Sequence, residues 1–209
     1  MWAWRALQCR PMNLPLTSAS GRWPQHVEEI RSLLARVACS DGSSQNLEID
    51  AAFTRWRELA EECRTARRAI YLIGNGASAS MASHFAADLA KNARLHTEVF
   101  SDLSLVTAIA NDMGYENVFS EPLSRRAAAG DLLVAISSSG RSPNVLRAVQ
   151  VARKLKLAVV TLSGMDEQNP LRAAGDLNFF VPAKTYGLAE TCHFSILHHW
   201  MDLVAASAD

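Results

Sequence analysis

The chain has 209 residues, of which 49% are hydrophobic and 20% charged, proportions that exclude wholesale disorder, a collagen-like repeat and a disulfide-stapled miniprotein. Twenty-one Lys and Arg balance 21 Asp and Glu, so the basic surplus of a nucleic-acid-binding protein is missing and no nucleic-acid partner is expected. Cys9, Cys39, Cys63 and Cys192 are scattered without a CxxC pair, and no apolar run nears the roughly 20 residues that span a bilayer; a cytoplasmic protein with no membrane partner is expected.

Residues 1–22 carry Pro11, Pro15 and the polar run Thr17-Ser18-Ala19-Ser20-Gly21, the pattern of a disordered leader, with Met12 as an alternative start. Residues 23–209 are expected to form a single domain that includes an N-terminal helical pair over 23–66. Val27, Ile30, Leu33, Leu34 and Val37 recur at helical spacing and predict a helix near 23–39. Ala52, Phe53, Trp56, Leu59, Ala60 and Cys63 do the same for a helix near 49–66, and the turn-rich Ser40–Ser44 lies between them. Each stripe needs a partner surface, on the main domain or on another subunit.

From residue 69 short apolar runs alternate with helical stretches. The runs are 69–73, 97–100, 132–136, 157–162 and 177–181, several with few polar residues, as in parallel strands covered on both faces. The expected fold is α/β: a five-stranded parallel sheet flanked by helices, doubly wound, preceded by the two N-terminal helices.

Ligands of such sheets gather beyond the carboxyl ends of the strands. The first strand runs into Gly74-Asn75-Gly76-Ala77-Ser78, which is neither a GxGxxG fingerprint, since Ala79 stands at its last glycine, nor a Walker loop, since no Lys follows. No nucleotide cofactor is expected. The third strand ends in Ser137-Ser138-Ser139-Gly140-Arg141-Ser142-Pro143, where Ser142 suits an N-cap and Pro143 a first helical residue. Three serines before the cap exceed what capping requires. The two loops together suggest a phosphate cradle of hydroxyls and amides; singly, each is also a plain strand–helix turn.

A third group is competent for metal binding or proton transfer. His84 and Asp88 lie four apart on one helix face. Glu190, His193 and His198 fall in one C-terminal helical stretch, with His199 beside them, and the eight residues from Glu190 to His198 are close to two turns. Taken singly, each histidine also reads as a core or interface residue.

The segments IGNGASAS, HFAADL, AIANDMGYENVFSEPL, AISSSGRSPNVLRAV and VTLSG resemble the sugar isomerase (SIS) domain, in its phosphoheptose isomerase branch. The resemblance implies a homotetramer with active sites between subunits, a phosphorylated sugar as substrate, and conversion of sedoheptulose 7-phosphate to D-glycero-D-manno-heptose 7-phosphate. It implies substrate or phosphate contacts from Asn75, Gly76, Ser78, Asp112, Ser137, Ser138, Ser139 and Ser142. It implies one zinc or other divalent metal per subunit, held by His84, Asp88, Glu190 and His198, and catalysis by His198 with Asp88 or Glu190. Asp88 stands where the family has a glutamate, and Glu190 where it has a glutamine. A metal-free site with the same residues, an isomerase of another phosphosugar, and a non-catalytic protein binding a sugar phosphate or a replication initiator are the alternatives.

Overall fold

The computed structural model describes residues 22–207, so the leader expected over 1–22 and the choice between Met1 and Met12 lie, Arg22 apart, outside the described residues. The helices are α1 (Trp23–Leu34), α2 (Ile49–Ala66), α3 (Ala77–Ala93), α4 (Leu103–Met113), α5 (Ser120–Arg126), α6 (Pro143–Lys154) and α7 (Tyr186–Ala206). The strands are β1 (Ala38–Asp41), β2 (Asn46–Leu47), β3 (Ala69–Gly74), β4 (His96–Glu98), β5 (Leu132–Ser137), β6 (Ala158–Gly164) and β7 (Leu177–Val181). Short 3-10 turns occupy Tyr115–Asn117 and Pro170–Ala173.

All five expected parallel strands are present, in the order β7-β6-β5-β3-β4. Alternation along β3 divides the core between the two faces of the sheet. Ile70 and Leu72 join residues of α2, α3 and α7 on one face, and Tyr71 and Ile73 join residues of α4, α5 and α6 on the other. Burial on both faces is why β3, β5, β6 and β7 lack a polar alternation, whereas the edge strand β4 is polar and not buried.

The strand count is corrected from five to seven. The segment taken for a linker between two helices, Ser40–Ser44, is the tip of a hairpin in which β1 pairs antiparallel with both β2 and β7. Asp41 shapes the tip: its Oδ1 accepts the Ser43 and Gln45 N–H groups at 2.8 and 2.9 Å. Sequence pattern misses this hairpin because β1 buries only Cys39 and β2 is two residues long, so neither shows a period. What makes them strands is the open edge of β7, where the Asn178 amide also donates to the carbonyls of Ser40 and Asp41. The hairpin also ends the first helix early, at Leu34 rather than near 39.

The two N-terminal helices differ in how their apolar stripes are used. On α2 all six stripe residues are buried, and Trp56 stacks on Trp200 of α7 with ring centroids 4.2 Å apart. On α1 only Leu33 is buried, while Trp23 is 73% and Val27 47% exposed. Ile30, Leu34 and Val37 pack against the core beside Leu33, so only the N-terminal end of α1, at Trp23 and Val27, is unpartnered within one chain.

Candidate active site

The cradle loops stand side by side because β3 and β5 are adjacent and parallel, with Gly74 opposite Ile136 at the end of the ladder. The turn out of β3 is tight. A Cβ on Gly74 would lie 2.5 Å from the Cβ and 2.8 Å from the carbonyl carbon of Ser78, so a side chain there would push the start of α3 away. The serine loop turns at Gly140, whose φ of +61° disfavours a side chain and whose missing Cβ makes room for the amide of Asn169. Asn169 is itself buried and donates to the carbonyls of Gly164 and Asp166 at 3.2 and 2.7 Å, buttressing the serine loop from below.

Asn75, Ser78, Ser137, Ser138, Ser139 and Ser142 line one cavity of about 180 Å³, together with Tyr186 and Glu190 of α7. The Ser137 and Ser142 hydroxyls are 3.1 Å apart, and the Ser139 hydroxyl accepts the Arg141 N–H at 3.3 Å. The Ser138 Oγ is buried with no hydrogen-bond partner among the described residues, a donor that costs free energy until something accepts from it. No Lys or Arg lines this cavity. Arg141, in the loop itself, is turned outward into an ion pair with Asp166. The amide ends of α3 and α6 and the hydroxyls therefore supply the positive potential. Gly76 is the N-cap position of α3, is exposed, and lines not this cavity but a neighbouring one shared with Asn75 and Tyr115. Asp112 is not in the lining; it lies exposed in the last turn of α4, bonded by the neighbouring Asn111 amide at 2.8 Å.

The proton- and metal-competent residues divide into two places. His84 on α3 lies 3.5 Å from Asp88, whose other oxygen is 3.8 Å from Lys91. Across the α3–α7 contact the His84 ring stacks on Phe194, and its centroid is 5.6 Å from that of His198, which also packs edge-on to Phe85 and Phe194. Glu190 is instead at the serine cavity, where burial raises its carboxyl above the ordinary pKa. Among the described residues no three His, Cys, Asp or Glu side chains gather closely enough to hold a metal ion. The four-residue metal set is thus not assembled within one chain: His84, Asp88 and His198 are neighbours, and Glu190 is turned to the serines.

Two residues of the site, Asn144 and Tyr115, escape a reading of the sequence, and a third, His193, is expected from it as proton- or metal-competent but serves in the core. Asn144 is buried at the start of α6 and bonded to Asn75, and Tyr115 donates to the same Asn75 from the 3-10 turn at 3.2 Å. His193 is fully buried, its Nε2 3.1 Å from the Ser163 carbonyl oxygen, and so ties α7 to the end of β6. A signal for Asn144 exists: it is the one strongly polar member of a stripe otherwise made of Val145, Ala148, Val149 and Ala152.

Comparison with known proteins agrees with this architecture. The SIS domain family model matches residues 25–164. A phosphoheptose isomerase of Geobacter sp. (strain M21) is 33% identical over 184 residues, covering 85% of this chain and 95% of the relative. One of Coxiella burnetii (strain RSA 331 / Henzerling II) is 36% identical over 157 residues, covering 70% and 78%. Among solved structures, the phosphoheptose isomerase of Neisseria gonorrhoeae superposes with a TM-score of 0.74 at 28% identity, covering 87% of this chain and 96% of that one. That of Francisella tularensis, at 23% identity and a TM-score of 0.75, covers 87% and 95% and speaks for the fold alone. On these similarities, joined to the parallel sheet and its paired serine and glycine loops, the chain belongs to the phosphoheptose isomerase branch of the SIS domain family.

Proposed function

We propose that this protein is an aldose–ketose isomerase that converts sedoheptulose 7-phosphate to D-glycero-D-manno-heptose 7-phosphate, with the phosphate in the serine cavity and proton transfer near His198. The observation that carries this reading is the placement of two kinds of chemistry along one helix. Glu190 faces the hydroxyl-lined cavity and His198 sits eight residues further along α7, about 12 Å at the helical rise. That separation suits an extended seven-carbon chain with its phosphate at one end and its reacting carbons at the other.

The reaction moves one proton between adjacent carbons and another between their oxygens, through an enediol, with no net redox change. It needs a base that takes the carbon-bound proton, returns it to the neighbouring carbon, and an acid that manages the oxygens. His198 is half-buried beside His84, which in turn is 3.5 Å from Asp88, and an imidazole serves either role near neutral pH. Asp88 is the carboxylate at this end of the site, and Glu190 lines the serine cavity at the other. Burial raises the Glu190 carboxyl above its ordinary pKa, which favours its protonated, hydrogen-bond-donating form at the serine cavity. The family's divalent metal enters no step here, because the residues implied for it stand in two separate groups.

The serines give a direct test. Ser139→Ala or Ser142→Ala is expected to raise KM for the phosphorylated sugar several-fold while kcat changes less, because these hydroxyls meet a group common to ground and transition states. Wild-type KM in both variants would take the serine loop out of the site. Assay of aldose formation over a panel of ketose phosphates separates the seven-carbon substrate from shorter ones, and no turnover of any would favour a binding protein.

We also propose a cytoplasmic homotetramer, as the resemblance implies. Supporting this, α1 leaves Trp23 and Val27 uncovered, and Leu103 and Tyr115, which line a second cavity beside Asn75, are 75% and 55% exposed. Among the described residues no helix is long and apolar enough to cross a membrane. Light scattering is expected to report about four chain masses; a stable monomer would remove both the tetramer and any site shared between subunits.

A further inference from the structure

We propose that Asn144 is a positioning residue: through a reciprocal amide pair with Asn75 it locks the Gly74–Gly76 loop to the serine loop and forces Asn75 to offer the cavity a hydrogen-bond donor. The proposal rests on the reading of the serine cavity as a phosphate site.

The two amides are bonded in both directions. Asn75 Nδ2 donates to Asn144 Oδ1 at 2.9 Å, and Asn144 Nδ2 donates to Asn75 Oδ1 at 2.8 Å. Asn144 Oδ1 accepts a second bond from the Val145 N–H at 3.0 Å, and Asn75 Oδ1 accepts a second from the Tyr115 hydroxyl at 3.2 Å. Asn144 is 2% exposed, so an amide there that lost its partners would have no water to replace them.

An asparagine amide has two N–H donors and two acceptor lone pairs. In Asn75 both lone pairs are taken, by Asn144 and Tyr115, and one N–H is taken by Asn144. What remains, for the serine cavity and for the neighbouring cavity that Asn75 also lines with Gly76 and Tyr115, is a single N–H. Free of Asn144, the side chain could turn over and present its carbonyl, which repels a phosphate oxygen. The pair therefore does more than fasten two loops. It removes the wrong face of the amide from a cavity whose positive potential comes from hydroxyls and helix ends alone. The mechanical role follows from position: the β3–β5 ladder ends at Gly74 opposite Ile136, and the amide pair is a cross-link one residue further on.

The test is a double-mutant cycle on the full chain, with KM and kcat for sedoheptulose 7-phosphate and, separately, titration of inorganic phosphate. Asn144→Ser is the main variant, since serine is well accepted in the first turn of a helix yet too short to reach Asn75; Asn144→Ala is the second. Each is expected to raise KM roughly tenfold, or ~1.4 kcal/mol, with kcat within about threefold. Weakened phosphate binding should accompany it. Asn75→Ala should behave alike, and the double variant no worse than Asn75→Ala, because Asn144 acts through Asn75. A merely structural role would instead lower the active fraction, and so kcat at constant KM, or give effects that multiply in the double variant; either result overturns the proposal. If the wild-type protein turned over no sugar phosphate while Asn144→Ser still weakened inorganic phosphate, the isomerase reading would fail and the amide pair would stand. Normal turnover with Asn144→Ser at wild-type KM and phosphate affinity would do the reverse. A wild-type chain that bound no phosphate would end both.

Discussion

Replacing His198 with alanine is expected to lower kcat by ~10²–10⁴-fold, the usual worth of a positioned proton-transfer group, and to leave KM within a few-fold. The expectation follows from where the residue stands. Substrate affinity is assigned to the serine cavity, about two helical turns from His198, so the ground-state contacts survive the change. The fold should survive too: α7 is anchored by Cys192, Ile196, Leu197, Trp200 and Val204, all buried, whereas His198 is only half-buried against Phe85 and Phe194. Steady-state kinetics with circular dichroism on the same sample checks both halves. A variant with full kcat would take His198 out of the reaction and leave proton transfer to Asp88 and Glu190.

Acid is expected to destabilise the protein through a different histidine. His193 is wholly buried; its Nε2 proton is donated to the Ser163 carbonyl, and its Nδ1 has no partner among the described residues. Burial lowers its pKa from 6.5 to about 4, against a smaller upward pull from the Ser163 bond. As pH falls through 6.5 the unfolded chain takes up this proton and the folded one does not, so the equilibrium moves toward unfolding. The stability associated with neutral His193 is thus complete above about pH 6.5 and lost progressively toward pH 4, by about 3 kcal/mol. Chemical denaturation at several pH values measures it. The carboxylates Glu28, Asp41 and Asp166, held low by hydrogen bonds, add their losses nearer and below pH 4 and are common to the control. That control is His193→Gln, which keeps a donor and cannot titrate: its curve should be nearly flat where the wild-type curve falls. Parallel curves for the two proteins would refute the assignment.

Among the site residues, what could be read without coordinates were those whose local neighbours determine them. Gly74 and Gly76 follow an apolar run, Ser142 and Pro143 open a helix, and His84 and Asp88 repeat at four. The parallel strands were equally legible, because burial on both faces leaves an uninterrupted apolar run, and the α2 stripe because its six residues keep helical spacing. Tertiary structure decided everything that depends on a partner distant in the chain. The hairpin β1–β2 exists because β7 offers an unpaired edge, 138 residues away from Ser40 at Asn178. Asn75 looked like a substrate contact on its own, and only the approach of β3 to β5 shows that Asn144, 69 residues on, takes half of its hydrogen-bonding capacity. Glu190 and His198 share a helix, yet they meet different neighbours, because α3 meets α7 at Phe85 and Phe194 and the serine loop meets it a turn or two earlier. Helical period places side chains on a face. Which neighbour that face meets is settled by the packing of whole elements, and so by contacts that no window of sequence contains.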